Sequence, residues 1–527
     1  MAQRRHNFIS GAAVLALAVA VTKVLGALYK IPLGNLLDKE GMAHFYAAYN
    51  IYNLLLVLST AGLPLALSRL VSRAAAQGRL NAQCRIFRTA LALLAVIGAV
   101  CSAVMCLFPQ VLSGLLHDSL AAPAIRVLGP AVLFVCLTSA IRGYTQGLGD
   151  MTPTAVSQMT ESAGKLVIGL ALCLVLLHRG ADSSLCAAGA IAGVTAGSLL
   201  SLTVLTVFLL RRRDRAAVDV PPARSAVLRE LLTAGIPITL GAAGMSLITL
   251  LDQALVMSTL QNTLGYTEAA ATALYGEYTF GMTLFALPPS FIYPVTVSLV
   301  PDISAALARG DRPAAGRSAA AALKLTTLIA LPTGAGLSVL AGPILRLLYP
   351  AVPDTAAAAA YHLTILGIAC IFVCLMVATN GVLQAYGKEY IPVVTLLCGG
   401  ILKIITNYLM VGDPATNVRG APVSTLYCYG LIVVLNLIAI ARCVPERPSY
   451  LRLFARPVLI TAVMALAARS SYGLLARSLP ERWAVLPAIA VAVVVYGVLV
   501  LALGAVTRQD VLDLPKGEKI ARMLHLH

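Results

Sequence analysis

The chain has 527 residues, of which 59% are hydrophobic and only 12% are charged. Average soluble domains carry about 25% charged residues, so this composition excludes a water-soluble fold of such a length. The net charge of +17 would suggest nucleic acid on a soluble protein, but the basic residues lie between apolar runs and predict no nucleic-acid partner.

The apolar residues form runs of roughly 18 to 25, long enough to cross a bilayer as helices. The first run follows Arg4 and Arg5, as a signal peptide would, but it continues to Leu28 and is interpreted as a transmembrane helix. In chain order the predicted spans are 8–29, 44–68, 89–108, 124–141, 154–177, 185–210, 230–256, 272–300, 318–342, 358–385, 391–411, 421–441, 456–475 and 483–505.

The basic residues between these spans predict the orientation of the chain. Loops on the side of the N-terminus receive about 26 Lys and Arg residues, and loops on the other side receive 8. Cytoplasmic loops carry such an excess of Lys and Arg. We therefore expect both termini in the cytoplasm and a multi-pass protein of the bacterial cytoplasmic membrane.

An internal repeat predicts the domain organisation. The segment 143–149 (GYTQGLG) matches 381–387 (GVLQAYG), and Pro64-x-x-x-Ser68 matches Pro294-x-x-x-Ser298. Both pairs are separated by about 230 to 240 residues and keep the same orientation, as parallel repeats do. The predicted domains are therefore an N-terminal lobe (1–210, helices 1–6), a cytoplasmic linker (211–229), a C-terminal lobe (230–442, helices 7–12) and a final segment (443–527, helices 13–14 and a tail).

No nucleotide-binding, metal-protease or serine-hydrolase motif occurs in the sequence. No cysteine cluster has the spacing of zinc ligands. We therefore expect a transporter without a cofactor, driven by membrane potential or by a coupling ion that the sequence does not identify.

Polar residues inside the predicted spans are the candidate cavity residues, because a charge at mid-bilayer costs about 2.5–3.5 kcal/mol on insertion scales and therefore tends to face a cavity or a partner. Two of them have simpler explanations: Lys30 at the end of its span could reach the interface, and Glu161 could pair with Lys165 one turn away. Asp252 is also a candidate coupling site. The full set is Lys23, Lys30, Tyr49, Asn50, Asn53, Glu161, Lys165, Asp252, Gln253, Lys403 and Asn407.

Prolines inside the spans predict bends, which transporters place near substrate sites. Together with the charged positions they indicate helices 1, 2, 7 and 8 as cavity lining. A cavity with several lysines and few acids suits an anionic substrate, such as the pyrophosphate between a sugar and a polyprenyl chain. The prolines are Pro64, Pro237, Pro288, Pro289, Pro294 and Pro332.

Several segments together resemble the stage V sporulation protein B group of polysaccharide biosynthesis proteins, which belongs to the multidrug/oligosaccharidyl-lipid/polysaccharide exporter superfamily. They are 22–33 (TKVLGALYKIPL), 142–147 (RGYTQG), 151–158 (MTPTAVSQ) with Glu161, and 298–304 (SLVPDIS). The resemblance implies two six-helix lobes around a central cavity and alternating access. It also implies that Lys23 matches the first cavity arginine of related lipid II flippases, whereas Tyr29, followed by Lys30, stands where the second would be.

The sequence thus predicts an all-α integral membrane protein of about fourteen transmembrane helices, with two parallel six-helix lobes around a central cavity plus two C-terminal helices. The expected function is flipping of an undecaprenyl-pyrophosphate-linked precursor, lipid II or a related oligosaccharide. The expected partners are this lipid-linked glycan and membrane lipids, and the protein is expected to be a monomer. The alternatives are a cation-coupled exporter of drugs or metabolites from the same superfamily and a membrane glycosyl- or acyltransferase.

Overall fold

The structure is a computed structural model that describes residues 18, 21–22, 24–211, 219–444 and 449–505. These residues are mostly α-helical. The first helices are α1 (24–36), α2 (Lys39–Thr60), α3 (Leu63–Ala76), α4 (Leu80–Leu107), α5 (Pro109–Leu115), α6 (Ala122–Gly147), α7 (Thr152–His178), α8 (Ser183–Arg211) and α9 (Arg224–Ser258). The remaining helices are α10 (Glu268–Phe285), α11 (Leu287–Ala308), α12 (Arg312–Val339), α13 (Ala341–Leu348), α14 (Pro353–Ala385), α15 (Tyr390–Val411), α16 (Gly420–Cys443), α17 (Tyr450–Leu475) and α18 (Glu481–Ala502).

Twelve helical segments among the described residues are long and apolar enough to cross a membrane. The all-helical membrane fold is therefore confirmed, whereas the predicted count of fourteen is not. The predicted span 8–29 lies largely outside the described residues, and the predicted span 272–300 is divided between α10 and α11. The predicted span 44–68 is likewise divided between α2 and α3, and the other predicted spans each fall mainly on one helix, with ends that differ by up to nine residues.

Two of the predicted bends are breaks between helices. The run from Lys39 to Ala76 is interrupted at Ala61 and Gly62, and Pro64 stands in the first turn of α3. The break between α10 and α11 falls at Ala286, directly before Leu287-Pro288. Proline lacks an N–H and is tolerated in the first turn, where that group has no intrahelical partner. Pro332, by contrast, lies inside the continuous helix α12.

The described residues form two compact units. The N-terminal unit extends to Thr279 and includes Val411–Val418, and the C-terminal unit comprises Phe280–Met410 and the residues from Arg419 onward. In the N-terminal unit α2 and α3 pack on α6 and also on α9. In the C-terminal unit α12, α14 and α16 pack together, and α17 contacts α12 and α18. The predicted linker boundary at 211–229 stays a prediction.

Glycines bring α7 and α8 of the N-terminal unit into backbone contact. A Cβ atom at Gly193 would lie 2.3 Å from the Cα atom of Gly169. A Cβ atom at Gly197 would lie 2.5 Å from the carbonyl oxygen of Glu161. Small residues allow this close approach of membrane helices, which is favoured by van der Waals packing. The position of Glu161 relative to α8 is therefore fixed by the backbone.

The internal repeat ends its helices in the same way. After α6, the amide of Gly149 donates to the carbonyl of Gln146, and the amide of Asp150 donates to that of Thr145. After α14, Gly387 and Lys388 make the equivalent bonds to Gln384 and Leu383. Both glycines have positive φ, 84° and 70°, which completes a Schellman cap. The matched sequence motifs thus encode matched helix ends, 238 residues apart.

Each copy of the repeat also carries a largely buried cluster of polar side chains, but the two clusters differ in charge. In the N-terminal unit Arg142 donates from Nε to Ser157 (2.9 Å) and from Nη2 to Glu161 (3.0 Å) and Ser201 (3.0 Å). In the C-terminal unit the positions 238 residues later include Asn380 and Thr395. There Nδ2 of Asn436 donates to Oδ1 of Asn380 (2.8 Å) and to the hydroxyl of Thr379 (3.0 Å). Its Oδ1 accepts from the hydroxyl of Thr395 (2.8 Å). One copy is held by an ion pair and the other by neutral hydrogen bonds.

Candidate functional site

The amine of Lys30 is held by two tyrosines of α2. Its Nζ donates to the hydroxyl of Tyr46 at 3.2 Å and lies 4.6 Å from the centre of that ring and 5.2 Å from the centre of the Tyr49 ring. Ammonium groups are attracted to aromatic faces within about 6 Å. Lys30 therefore contacts two aromatic side chains of α2.

The polar residues of α2 recur at the spacing of one helical face. Tyr46, Tyr49, Asn50 and Asn53 are three and four residues apart, so they share one side of the helix. Asn50 donates from Nδ2 to the side-chain carbonyl of Gln253 on α9, at 2.7 Å. This face of α2 therefore combines aromatic rings, amides and the Lys30 ammonium.

Lys165 of α7 contacts the same aromatic cluster from the other side. Its Nζ lies 5.8 Å from the ring centre of Tyr29, whose hydroxyl donates to the carbonyl of Ala190 at 2.8 Å. Tyr29 is buried, and its ring lies 6.0 Å from that of Phe45, which stacks on Tyr49 at 5.8 Å. Lys30 and Lys165 are thus joined by a continuous set of aromatic contacts.

Glu161 has a different partner from the one that its spacing suggested. Its carboxylate accepts from Arg142 at 3.0 Å, across 19 residues of sequence, and both side chains are largely buried. Arg142 follows the predicted end of the fourth span, but α6 continues to Gly147 and brings it into the helix. Glu161 is therefore part of an interhelical ion pair in the N-terminal unit.

Asp252 and Gln253 interrupt α9 with two buried polar side chains, 3% and 1% exposed. Gln253 accepts from Asn50, while its Nε2 has no hydrogen-bond partner. Asp252 lies within electrostatic range of the hydroxyl of Tyr275 on α10. These two residues thus lie in the same unit as Lys30 and the polar face of α2.

The remaining candidates are placed elsewhere. Lys403 and Asn407 are buried on α15 in the C-terminal unit, where Asn407 accepts a hydrogen bond from Ser424. Lys403 is the fourteenth residue of α15, as Lys165 is of α7, which preserves the repeat. Asn53 is half-buried on α2. Lys23 lies outside the described residues.

Three polar residues of the N-terminal unit were missed by the sequence reasoning. Tyr46 is the partner of Lys30, and its spacing of four residues from Asn50 was the available signal. His44 and Asp118 form a buried pair, with Nδ1 and Oδ1 2.7 Å apart. They are 74 residues apart, and no spacing rule connects them.

The arrangement of these side chains is suited to binding a ligand rather than to catalysing a chemical reaction. An ammonium group has three N–H donors, and the bond to Tyr46 occupies one of them. Lys30 and Lys165 therefore present positive charge beside aromatic surface, an arrangement that can bind a phosphate group and an apolar group together. Within the described residues no group of three or more His, Cys, Asp or Glu could hold a metal ion.

Comparison with known families gives two matches. A family model described as "Polysaccharide biosynthesis protein" matches residues 8–307. A second model, described as "MatE", matches residues 237–409. Together the two matches cover most of both units, and the first includes all of α1 to α10.

Three proteins of Bacillus subtilis (strain 168) are similar along most of their length. The uncharacterised membrane protein YabM is 27% identical over 533 residues, 99% of this chain and 97% of its own. Stage V sporulation protein B is 24% identical, covering 84% of this chain and 85% of its own. The lipid II flippase MurJ is 24% identical over 490 residues, 88% of each chain.

Solved structures share the fold. The lipid II flippase MurJ in an inward closed conformation superposes with a TM-score of 0.71 at 14% identity, covering 93% of this chain and 98% of that one. An inward-facing multidrug resistance MATE family transporter gives a TM-score of 0.64 at 15% identity, covering 84% and 98%. At these identities the likeness concerns the fold alone.

Proposed function

Because the chain belongs to the polysaccharide biosynthesis protein family, we propose that this multi-pass transporter flips a lipid-linked sugar across the bacterial cytoplasmic membrane. The cargo is an undecaprenyl-pyrophosphate-linked cell-wall precursor, lipid II or a related lipid-linked oligosaccharide. The similarity to the lipid II flippase MurJ, over 88% of each chain, supports this assignment. The lipid II flippase MurJ and the MATE family proteins are transporters rather than enzymes, so the transferase alternative is set aside.

The observation that carries the proposal is the pair of lysines on the aromatic cluster of the N-terminal unit. Lys30 is oriented by Tyr46 and Tyr49, and Lys165 by Tyr29. A pyrophosphate is doubly charged or more, and a lysine binds it as a point charge that is strengthened by a low dielectric. Sugar rings present apolar faces that aromatic side chains can cover.

The proposed cycle uses alternating access. The head group enters from the cytoplasm, its pyrophosphate binds near Lys30 and Lys165, with Lys23 as a further candidate, and the polyprenyl tail stays in the bilayer. Opening to the other side then releases the head group. Both termini lie in the cytoplasm in this proposal, since the excess of basic residues falls on that side.

The test is depletion of the endogenous lipid II flippases in a Gram-positive host that carries this gene in trans. Growth rescue, together with labelled lipid II in the outer leaflet, is the expected result. Absence of rescue while the protein is present in the membrane would exclude lipid II and leave other lipid-linked glycans. The assay therefore tests whether lipid II is the cargo, and a negative result does not contradict the assignment as a transporter of lipid-linked glycans.

A second candidate function, export of cationic drugs, is favoured by the match of residues 237–409 to the MatE model. It predicts that expression confers drug resistance without flippase rescue. The lysines of the aromatic cluster argue against it, because they would repel a cationic ligand. Minimum inhibitory concentrations of cationic dyes, measured with and without the gene, decide between the two.

A further inference from the structure

Helix α9 runs antiparallel to α2 and α3 in the N-terminal unit. As the residue numbers rise along α2 and α3, those of their partners on α9 fall. In this order the contacts are Asn50 with Gln253 (2.7 Å), Gly62 with Thr239 (3.1 Å) and Arg73 with Glu230 (3.2 Å). From the first contact to the last the chain advances 23 residues. At 1.5 Å per residue this is about 34 Å of helix, close to the hydrocarbon thickness of a bilayer.

Two of these contacts lie on one side of the candidate binding site. Asn50 belongs to the polar face of α2, together with Tyr46 and Tyr49, whereas Gly62 and Arg73 follow it by 12 and 23 residues. In the proposed orientation the chain runs from Asn50 toward the cytoplasm, because the basic residues at the end of α3 belong to that side. The contacts at Gly62 and Arg73 therefore hold α9 against α3 between the candidate site and the cytoplasm.

The ion pair nearest the cytoplasm contributes little to this contact. The side chains of Arg73 and Glu230 are both largely exposed. Exposed ion pairs gain little because water screens them and because two long side chains must be ordered. The contact at Gly62 is therefore the one that can hold the two helices together.

At Gly62 the break between two helices brings a backbone amide against α9. Helix α2 ends at Thr60, α3 begins at Leu63, and the amide of Gly62 donates to Oγ1 of Thr239. A Cβ atom at Gly62 would overlap the carbonyl oxygen of Gly235, one turn before Thr239. Glycine is thus required for the close approach, and the Thr239 hydroxyl satisfies an N–H group at the helix break.

The amount of water at this point decides whether the hydrogen bond can break. In a dry environment an amide without a partner is costly, so α9 stays against Gly62 while the region is dry. Water in a cavity open to the cytoplasm would replace the Thr239 hydroxyl at a small net cost, since one hydrogen bond is exchanged for another. Separation of α9 from Gly62 is therefore coupled to the entry of water.

We propose that the contact between Gly62 and Thr239 is a latch that keeps the cytoplasmic side of the N-terminal unit closed until water enters. Thr239 is a positioning residue, because it binds α3 rather than the cargo. The role of the latch in transport rests on the proposed function, whereas the closed contact itself does not. The latch is therefore tested on the purified protein without any cargo.

The experiment is hydrogen exchange followed by mass spectrometry, on the full chain in lipid nanodiscs. Thr239→Val keeps nearly the same shape and removes the acceptor of the Gly62 amide. We expect residues 66–76 of α3 and 224–233 of α9 to exchange about threefold faster or more, because loss of one hydrogen bond shifts the equilibrium between closed and open forms by about that factor. Thr239→Ser keeps the hydroxyl and should match the wild type. Residues 109–121, at the opposite end of the unit, should not exchange faster.

A second variant tests the same contact if Thr239→Val does not fold. Gly62→Ala places a methyl group against the Gly235 carbonyl and should accelerate exchange in the same two segments. Gly473→Ala is its matched control, since a Cβ atom there meets nothing within 4 Å. Wild-type exchange in either folded variant would overturn the latch, and so would acceleration limited to Gly62 or equal at both ends of the unit. None of these results depends on the flippase rescue assay.

Discussion

Gly193 of α8 lies against Gly169 of α7 so closely that a Cβ atom at Gly193 would be 2.3 Å from the Gly169 Cα atom. The atom in the way is backbone and cannot move aside by a rotamer change. The two helices are therefore in backbone contact, and this packed pair includes Lys165 and Glu161 on α7 and Ser201 on α8.

The first prediction concerns this contact. Gly193→Ala should destabilise the protein by about 1–3 kcal/mol, because an added methyl group in a close-packed interface forces the helices apart. Thermal unfolding in detergent is the measurement. Gly473→Ala is the matched control, since a Cβ atom at Gly473 meets nothing within 4 Å, and it should be neutral or slightly stabilising. Equal effects of the two variants would contradict the contact.

The second prediction concerns the ion pair of Arg142 and Glu161. Arg142→Leu leaves the largely buried Glu161 carboxylate without its partner, and we expect a loss of about 1–3 kcal/mol. The exposed pair of Arg73 and Glu230 is the control, because its side chains are 72% and 54% exposed. Arg73→Leu should change stability by about 0.5 kcal/mol or less. Equal melting temperatures of the Arg142 variant and the wild type would show that the pair contributes nothing.

The third prediction concerns the two lysines of the aromatic cluster. Lys30→Gln and Lys165→Gln should each lower flippase rescue about tenfold or more, since loss of about 1.4 kcal/mol of binding corresponds to a factor of ten. Plating efficiency of the depleted strain is the measurement, with membrane abundance checked by immunoblot. Arg477→Gln, in an exposed turn between α17 and α18, should rescue fully. Full rescue by both lysine variants would remove the cluster from the proposed site.

The fourth prediction concerns Asp219, which caps α4 from the segment that follows α8. Its carboxylate accepts from the amides of Asn81 (2.8 Å) and Ala82 (3.0 Å), in the first turn of the helix. Desolvation acts to raise the pKa of Asp219, but these hydrogen bonds outweigh it and the pKa is lowered from its ordinary value of 3.8. The cap is therefore fully present above pH 3.8 and is lost as the pH falls through the lower folded value. Asp219→Ala should expose the amides of Asn81 and Ala82 to faster hydrogen exchange at pH 7, and unchanged rates would contradict the cap.

Much of the fold could be predicted from the sequence because its signals are local. The lengths of the apolar runs predicted the ends of most spans to within a few residues. Pro64 and Pro288 correctly indicated breaks between consecutive helices. The short repeat motifs also identified equivalent helix caps, since a Schellman cap requires glycine at one fixed position. Lys30 and Gln253 could be chosen as candidate residues because polar residues are conspicuous in apolar runs, and their role stays a prediction.

The partners of those residues could not be predicted in the same way. Glu161 lies four residues from Lys165, yet its partner is Arg142, because the glycine contact between α7 and α8 sets which helix faces it. His44 contacts Asp118, 74 residues later in the chain. This contact depends on the packing of α2 against the segment between α5 and α6. Interhelical pairs depend on the rotation of each helix about its axis, and this rotation cannot be predicted from composition.

The clusters at equivalent positions of the repeat give the two units unequal sensitivity to ionic conditions. The N-terminal cluster depends on the charges of Arg142 and Glu161, whereas the C-terminal cluster is built on the uncharged amides of Asn436 and Asn380. Guanidinium chloride is a salt and screens a partly exposed ion pair, while urea is uncharged and does not. Guanidinium chloride therefore weakens an electrostatic interaction in the N-terminal cluster that urea leaves intact, and it has no such additional effect on the uncharged C-terminal cluster.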